Sequence, residues 1–340
     1  MREGGGITRL APSPTGALHL GHAFTFLVNW ALARRLGWRV LLRLDDLDAP
    51  RVASSSHDAI ATLRWMGLDW DGEPILQSGR MKAYRAAMER LARAGLVFRS
   101  PHSRSEVREA ALAAGAPQEG ETASRFPRVL RPAPGPDWGF SEEDINHRIA
   151  VPAGSVDVPD QLAGNVSVNV EREHGDFIVW TKAGIPSYQL ACAVDDAELG
   201  VTDVVRGADL LPSAAPQQLL HKALGHPSPT WWHVPLVRDA TGRRLAKRDG
   251  DEGLDSLRAR GMTAERVAGW VAWCVGAHAL EPLDPSALAR LLDPATAVGG
   301  LRELAAQDGT RVDSSTLAWL TGDDAAADML RRDARGGPTR

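Results

Sequence analysis

Only two cysteines, Cys192 and Cys274, occur in the 340 residues, far apart and with no CxxC pair. Their scarcity excludes a disulfide scaffold and a four-thiolate zinc site. No run of about 18 consecutive apolar residues is present, so the sequence offers no membrane-spanning helix. The opening residues, MREGGGITRL, lack the apolar core of a secretory signal, and a cytoplasmic location is expected. No segment recurs at a solenoid period. Positive charge is not in excess either: the formal net charge is −4. Nucleic acid stays open as a partner, because phosphate contacts depend on local basic patches rather than on the total. With 44% hydrophobic and 24% charged residues the composition is that of a globular protein. The length allows two domains, or one domain with an insertion.

What is present is an alternation of strands and helices. ITRLA (7–11) reads as a strand entering a Pro/Gly turn. From Leu20 to about Leu36, Phe24, Leu27, Val28, Ala31 and Leu32 recur at helical spacing, with Gly37 closing the helix. WRVLLRLDDLD (38–48) follows as a strand, which makes a βαβ unit with parallel strands. Further helices are predicted over 53–66 and 80–94. Between 100 and 175 the composition shifts to AAGAPQEGE and RPAPGPDWG with short strand-like pieces (HRIAVP, VSVNV), an inserted region. DFIVWT and VTDVVRG then read as strands, SAAPQQLLHKALG as a helix, and WWHVPLV as a strand before the turn DATGRR. Beyond about Asp255 the pattern is mostly helical, and the last residues, RRDARGGPTR, are expected to fray. The expected divisions are therefore 1–99, 100–175, 176–255 and 256–340.

Two stretches carry chemistry. LAPSPTGALHLGH (10–22) places His19, Gly21 and His22 where a helix begins. A helix N-terminus attracts phosphate through its unpaired N–H groups, and neutral imidazoles can add donors without the charge of a lysine. Gly21 has no side chain to obstruct a flat ring, and Pro12 and Pro14 stiffen the approach. The same HxxH spacing also suits a surface accident or half of a metal site. GRRLAKRDG (242–250) places Lys247 among arginines on a loop after a strand. Such a loop is either a solvated turn or a flap that neutralises charge building on a phosphate.

Together these stretches resemble the two signature motifs of class I aminoacyl-tRNA synthetases. TRLAPSPTG, LLRLDDLDAPR, SYQLACAVDD and VTDVVRGADLL narrow the resemblance to the glutamyl-tRNA synthetase group, over roughly residues 7–255. It implies an α/β, Rossmann-type catalytic domain, with an inserted α+β connective region and a short helical C-terminal part. It also implies formation of glutamyl-adenylate from L-glutamate and ATP with Mg2+. His19, His22 and Lys247 would be catalytic. His19, Gly21, His22, Arg244, Leu245 and Lys247 would hold ATP, and Arg9, Ser13, Asp45, Tyr188 and Arg206 would hold glutamate. Arg9 and Arg206 can each take one carboxylate. Glutamine would leave a buried guanidinium unpaired, at a cost of about 1–3 kcal/mol.

Three departures sharpen the expectation. Asp45 stands where glutamyl enzymes usually carry glutamate and glutaminyl enzymes aspartate, so it would reach a substrate ammonium from one methylene further away. Only about 90 residues follow the basic loop, fewer than the helical anticodon-binding domain of a conventional member needs. That points to the shortened branch that attaches glutamate to queuosine at the first anticodon position of tRNA(Asp), gripping the anticodon stem-loop directly. Charging of the 3′ end of tRNA(Glu), a non-catalytic glutamate- or RNA-binding paralogue and a small nucleotidyltransferase are the alternatives. Finally, where the family often has a CxC zinc pair this chain reads SPH, with Ser100 and His102, and zinc is expected to be absent. Among eleven tryptophans, Trp138, Trp231 and Trp232 are candidates to stack on a nucleobase, packing being the commoner role. A monomer is the default expectation.

Overall fold

The computed structural model describes residues 5–13, 18–47, 52–113, 125–245 and 252–335, with the backbone alone at 52–56 and 332–335. Strand β1 (Ile7–Leu10), helix α1 (Leu20–Arg35) and strand β2 (Arg39–Leu44) form the expected βαβ unit. The strands are parallel, in register from Ile7↔Arg39 to Leu10↔Leu42. Gly37, at φ +68°, closes α1 by letting Trp38 N donate back to Ala33 O at 2.8 Å. β2 stops at Leu44 rather than running to 48. Its acids leave the ladder: Asp46 accepts from Ser78 N at 2.7 Å and from Ser78 Oγ at 2.6 Å. Helix α2 (Val52–Trp65), strand β3 (Ile75–Leu76, parallel to β2) and helix α3 (Met81–Arg93) complete this half.

Next come β4 (Val97–Ser100), α4 (Arg104–Ala113), β5 (Asn146–Ile149), β6 (Val156–Asp160), β7 (Gly164–Val168), the short α5 (Val170–Glu173) and β8 (Ile178–Trp180). β4, β5 and β8 make an antiparallel sheet, whereas the β6–β7 hairpin joins another one. Strand pairing therefore crosses the expected boundaries at 99/100 and 175/176, because β4 and β8, on either side, both need β5 as their partner. Then follow α6 (Tyr188–Glu198), β9 (Asp203–Gly207), α7 (Leu211–Ala223), β10 (Thr230–Val234) and β11 (Val237–Asp239). β10 is parallel to β9 and to β6, giving the order β7-β6-β10-β9.

The C-terminal part comprises α8 (Leu254–Ala259), α9 (Ala264–Cys274), α10 (Pro285–Leu291), α11 (Pro294–Ala306), β12 (Thr310–Val312), α12 (Ser314–Leu320) and α13 (Ala326–Arg335). As expected, the described part of this region is mostly helical, with β12 pairing in parallel with β11. One expectation needs correction: 331–335 are not frayed, since α13 continues to Arg335, anchored by buried Leu330 and by Arg331 donating to Leu280 O at 2.9 Å. Residues 336–340 lie outside the described residues.

The edge strands β1 and β9 meet. Thr202 N donates to Ile7 O at 2.8 Å, and Ile7 N to Thr202 Oγ1 at 2.9 Å. From this seam β2 and β3 run one way and β10, β6 and β7 the other. The reversal of strand order leaves a crevice beyond the carboxyl ends of β1 and β9, where doubly wound folds place their ligands. The fold is α/β and Rossmann-type. Among the described residues no helix is long and apolar enough to cross a membrane.

Candidate active site

A cleft of about 230 Å³ occupies that crevice. It brings together Arg9, Ser13, His19, Gly21, His22, Asp45, Tyr188, Arg206, Arg244 and Leu245. Every described residue assigned to ATP or glutamate from the sequence lines this one space. Lys247 lies outside the described residues.

The rim is the first turn of α1. His19 is the N-cap and its Nδ1 accepts from Gly21 N at 3.1 Å; the Nδ1 of His22 accepts from His19 N at 3.2 Å. Two histidines thus form a reciprocal capping box in place of the usual Ser and Glu. Because backbone N–H groups take both Nδ1 lone pairs, the ring protons are assigned to Nε2 and both imidazoles are neutral donors. Burial, followed by the repulsion a second imidazolium would meet from His19 and by the charge of Arg244, pushes His22 down to about 3. The need for glycine at 21 differs from the expected one. A Cβ there would sit 3.0 Å from His19 Cε1 and 3.1 Å from Nδ1, so the missing side chain makes room for the capping ring itself.

The facing wall is the loop after β11. Asp239 accepts from Thr241 N at 2.9 Å and Arg243 N at 2.9 Å, which fixes the turn. Leu245 N donates to Val237 O at 3.3 Å, and Arg244 pairs with Asp209 at 3.0 Å. These bonds hold the start of the basic stretch against the cleft.

The floor is ionic. Arg9, expected to hold glutamate, is 4% exposed and paired with Asp196 at 3.1 Å. Asp45 is held by Arg43, through Nε at 2.7 Å and Nη2 at 3.2 Å. Arg43 also reaches Asp196 at 2.8 Å and the Cys192 Sγ at 3.3 Å. Asp195 faces the other way, to Arg80 at 2.6 Å, Gln77 at 2.8 Å and Tyr84 at 3.0 Å. Burial raises Asp45 above the usual carboxylate range even though Arg43 opposes it. For Asp196, burial is outweighed by Arg9 and then Arg43, and it is held below that range.

Arg206 is different. It is 5% exposed, and its bonds go to neutral groups: His233 Nε2 at 3.0 Å, Gln217 Oε1 at 2.8 Å and Leu210 O at 3.1 Å. Its Cζ lies 4.8 Å from the Trp231 ring centroid. Among the described residues it makes no ion pair, and burial lowers its proton affinity. Sequence reasoning gave no role to Arg43, Asp195, Asp196, Gln217, His233 or Asp160; the adjacent acids of AVDD were the one visible signal.

Where the family often holds zinc, Ser100 is buried and accepts from Arg148 Nε at 3.1 Å. The Arg148 guanidinium lies 4.2 Å from the Phe126 centroid and also donates to Asp176 O at 2.8 Å. His102 sets its ring against Phe126 at 5.6 Å. A hydroxyl and one imidazole beside a cation do not fit a zinc ion. Trp231 and Trp232 are buried and donate to Gln218 Oε1 and Asp203 Oδ1, and Trp138 donates to backbone carbonyls. All three are packing residues.

The comparisons agree with this architecture. Residues 7–269 match the family described as tRNA synthetases class I (E and Q), catalytic domain. The chain belongs to that family of ligases. Among its relatives, the glutamyl-Q tRNA(Asp) synthetase of Rhodopirellula baltica is 41% identical over 278 residues, which cover 78% of this chain and 84% of that protein. The protein of the same name in Symbiobacterium thermophilum is 38% identical over 327 residues, 92% of this chain and 98% of that one. Glutamate–tRNA ligase 1 of Methylorubrum extorquens is 39% identical over 262 residues, 75% of this chain but 53% of that protein. A solved glutamate tRNA ligase from Elizabethkingia meningosepticum, in complex with its amino acid, superposes with a TM-score of 0.74 at 25% identity, covering 93% of this chain and 68% of that one.

Proposed function

We propose that the cleft activates L-glutamate with ATP and passes the glutamyl group to queuosine in the anticodon stem-loop of tRNA(Asp). The observation that carries the reading is Arg206, a buried guanidinium with only neutral partners at the foot of a cleft whose rim is two neutral imidazole donors. A buried cation without a counter-ion costs free energy unless an anion arrives, and a substrate carboxylate is such an anion. Tyr188 and Ser13 flank it, Arg9 adds hydrogen bonds from an already neutralised pair, and Asp45 faces the ammonium with Arg43 setting its orientation.

In the first step a glutamate carboxylate oxygen attacks the α-phosphorus of ATP in line and pyrophosphate leaves. This chemistry needs positioning and charge stabilisation more than covalent help. The Nε2–H groups of His19 and His22 donate to phosphate oxygens, Arg244 and Leu245 border the nucleotide, and Lys247 supplies charge from the basic loop. Magnesium bound with ATP would supply further charge neutralisation at the phosphates. In the second step a queuosine hydroxyl attacks the glutamyl carbonyl carbon and AMP leaves. The names of the relatives, and the match over 98% of the Symbiobacterium protein, support queuosine as the acceptor. The match to glutamate–tRNA ligase 1 favours a second reading, transfer to the 3′ end of tRNA(Glu).

Two assays decide. Glutamate-dependent exchange of pyrophosphate into ATP tests activation, and its absence with and without tRNA sinks the enzymatic reading. Labelled glutamate is then offered to queuosine-containing tRNA(Asp) and to tRNA(Glu). Label on tRNA(Asp) that survives periodate treatment of the 3′ end is expected; label only on tRNA(Glu) establishes the second reading instead.

The neutrality of His22 gives a pH prediction. Its folded pKa of about 3 lies below the ordinary imidazole value of 6.5, so the unfolded chain binds more protons between these values. Stability contributed here is complete above about 6.5 and is lost as pH falls toward 3. The pH profile of activation should therefore show no limb near 6.5 that disappears in His22→Asn. A limb falling as pH rises would mean that a charged imidazolium works at the rim, and one falling as pH drops would mean that His22 titrates at its ordinary value.

A further inference from the structure

Behind Arg206, outside the cleft, the structure builds a relay across three strands. Arg206 on β9 and His233 on β10 are register partners, and Asp160 ends β6, which pairs with β10 at Trp231. Arg206 Nε donates to His233 Nε2 at 3.0 Å. On its other side the His233 ring places Nδ1 2.6 Å from Asp160 Oδ2, which also accepts from His233 N at 3.1 Å. All three side chains are buried. The remaining Asp160 oxygen accepts from Leu162 N and Ala163 N, each at 2.8 Å, so the carboxylate is locked by backbone.

This geometry fixes one tautomer. A carboxylate at Nδ1 requires the proton on Nδ1, which leaves the Nε2 lone pair as an acceptor for Arg206. An Nε2–H tautomer would set two donors face to face. Gln217 and Leu210 O take one Nη each and Trp231 lies under the plane, so the guanidinium is held on every side away from the cleft. The same device, a carboxylate behind an imidazole, orients metal-bound histidines. Here the third member is an arginine.

We propose that His233, anchored by Asp160, is the positioning residue that aims the Arg206 guanidinium at the substrate carboxylate and so sets recognition of glutamate. The proposal rests on the reading of Arg206 given above. It goes beyond that reading by assigning selectivity to a residue that does not line the cleft.

The test uses the full chain, with pyrophosphate exchange titrated separately with glutamate and with ATP. Arg206→Ala serves as the reference. His233→Leu removes the acceptor, while His233→Gln restores one through its amide oxygen. His233→Leu should raise KM for glutamate roughly 10- to 100-fold, leave KM for ATP within about twofold, and be largely rescued in His233→Gln. If Arg206→Ala leaves KM for glutamate unchanged, the underlying reading of the site fails. If Arg206→Ala raises it but His233→Leu does not, or if His233→Leu moves both KM values together, the relay is merely structural and the inference fails. Because His233→Leu is a buried change, nitrogen NMR of histidine-labelled wild-type protein provides a second measure. His233 should show a protonated Nδ1 and a bare Nε2, and the opposite tautomer overturns the proposal.

Discussion

Replacing Arg206 by leucine is expected to cut kcat/KM for glutamate roughly 30- to 5,000-fold, because losing one partner of a buried, hydrogen-bonded charge pair costs about 2–5 kcal/mol and each 1.36 kcal/mol is tenfold. The size follows from where the charge sits. Arg9 is already neutralised by Asp196 and Arg43 by Asp45 and Asp196, whereas Arg206 has no ion pair among the described residues. An arriving carboxylate therefore meets one cation whose charge the protein has left uncompensated. Effects on folding should be smaller than on activity, since two contributions oppose. The variant loses three hydrogen bonds to neutral partners, and it also removes a charge that burial disfavours. Titrating glutamate in pyrophosphate exchange alongside a denaturant melt reads both. A loss of kcat/KM below about fivefold, less than the smallest cost expected of a buried charge pair, would remove Arg206 from the substrate. A melt shifted as far as the activity would make it structural.

How much of this the chain disclosed depended on distance along it. His19, Gly21 and His22 belong to one strand–turn–helix unit, so spacing alone put them at a helix start. Arg206 is flagged by its place between an apolar strand and Gly207. The partners that tune these residues were not legible. Arg9 meets Asp196 across 187 positions, and Arg43 meets it across 153. No local period encodes such contacts. The acids of AVDD illustrate the problem: consecutive residues on α6 point about 100° apart, so Asp195 serves Arg80 and Tyr84 while Asp196 serves Arg9 and Arg43. β12 escaped for another reason. Three residues between helices carry too little alternation to register as a strand, and only the waiting edge of β11 makes Thr310–Val312 extend.

The second large effect concerns Arg43, and it is on stability. Arg43 is 1% exposed and bonds Asp45 at 2.7 Å and Asp196 at 2.8 Å, with Asp195 at 3.8 Å. Arg43→Met keeps much of the volume but removes the only cation bonded to Asp45 among the described residues. Breaking a buried pair by deleting one partner costs about 3–5 kcal/mol, a large share of a total stability of about 5–15 kcal/mol. The pH dependence gives this a sign. Asp45 is raised above its unfolded value already in the native protein, and loss of Arg43 raises it further. A folded state with the higher carboxylate pKa binds the extra proton as pH falls, so the deficit should be greatest near neutrality and narrow as pH falls toward the unfolded carboxylate value of about 3.9. Asp196 also loses Arg43 and narrows the deficit in the same direction, but weakly, because Arg9 stays at 3.1 Å. Adding Asp45→Asn to Arg43→Met should recover part of the loss at neutral pH, giving a coupling in the double-mutant cycle of about 0.5–3 kcal/mol. Urea unfolding of the four proteins at two pH values measures it. A deficit that widens in acid, or a double variant no better than the single one, would show that Arg43 stabilises the fold through its packing and not through the carboxylate it holds.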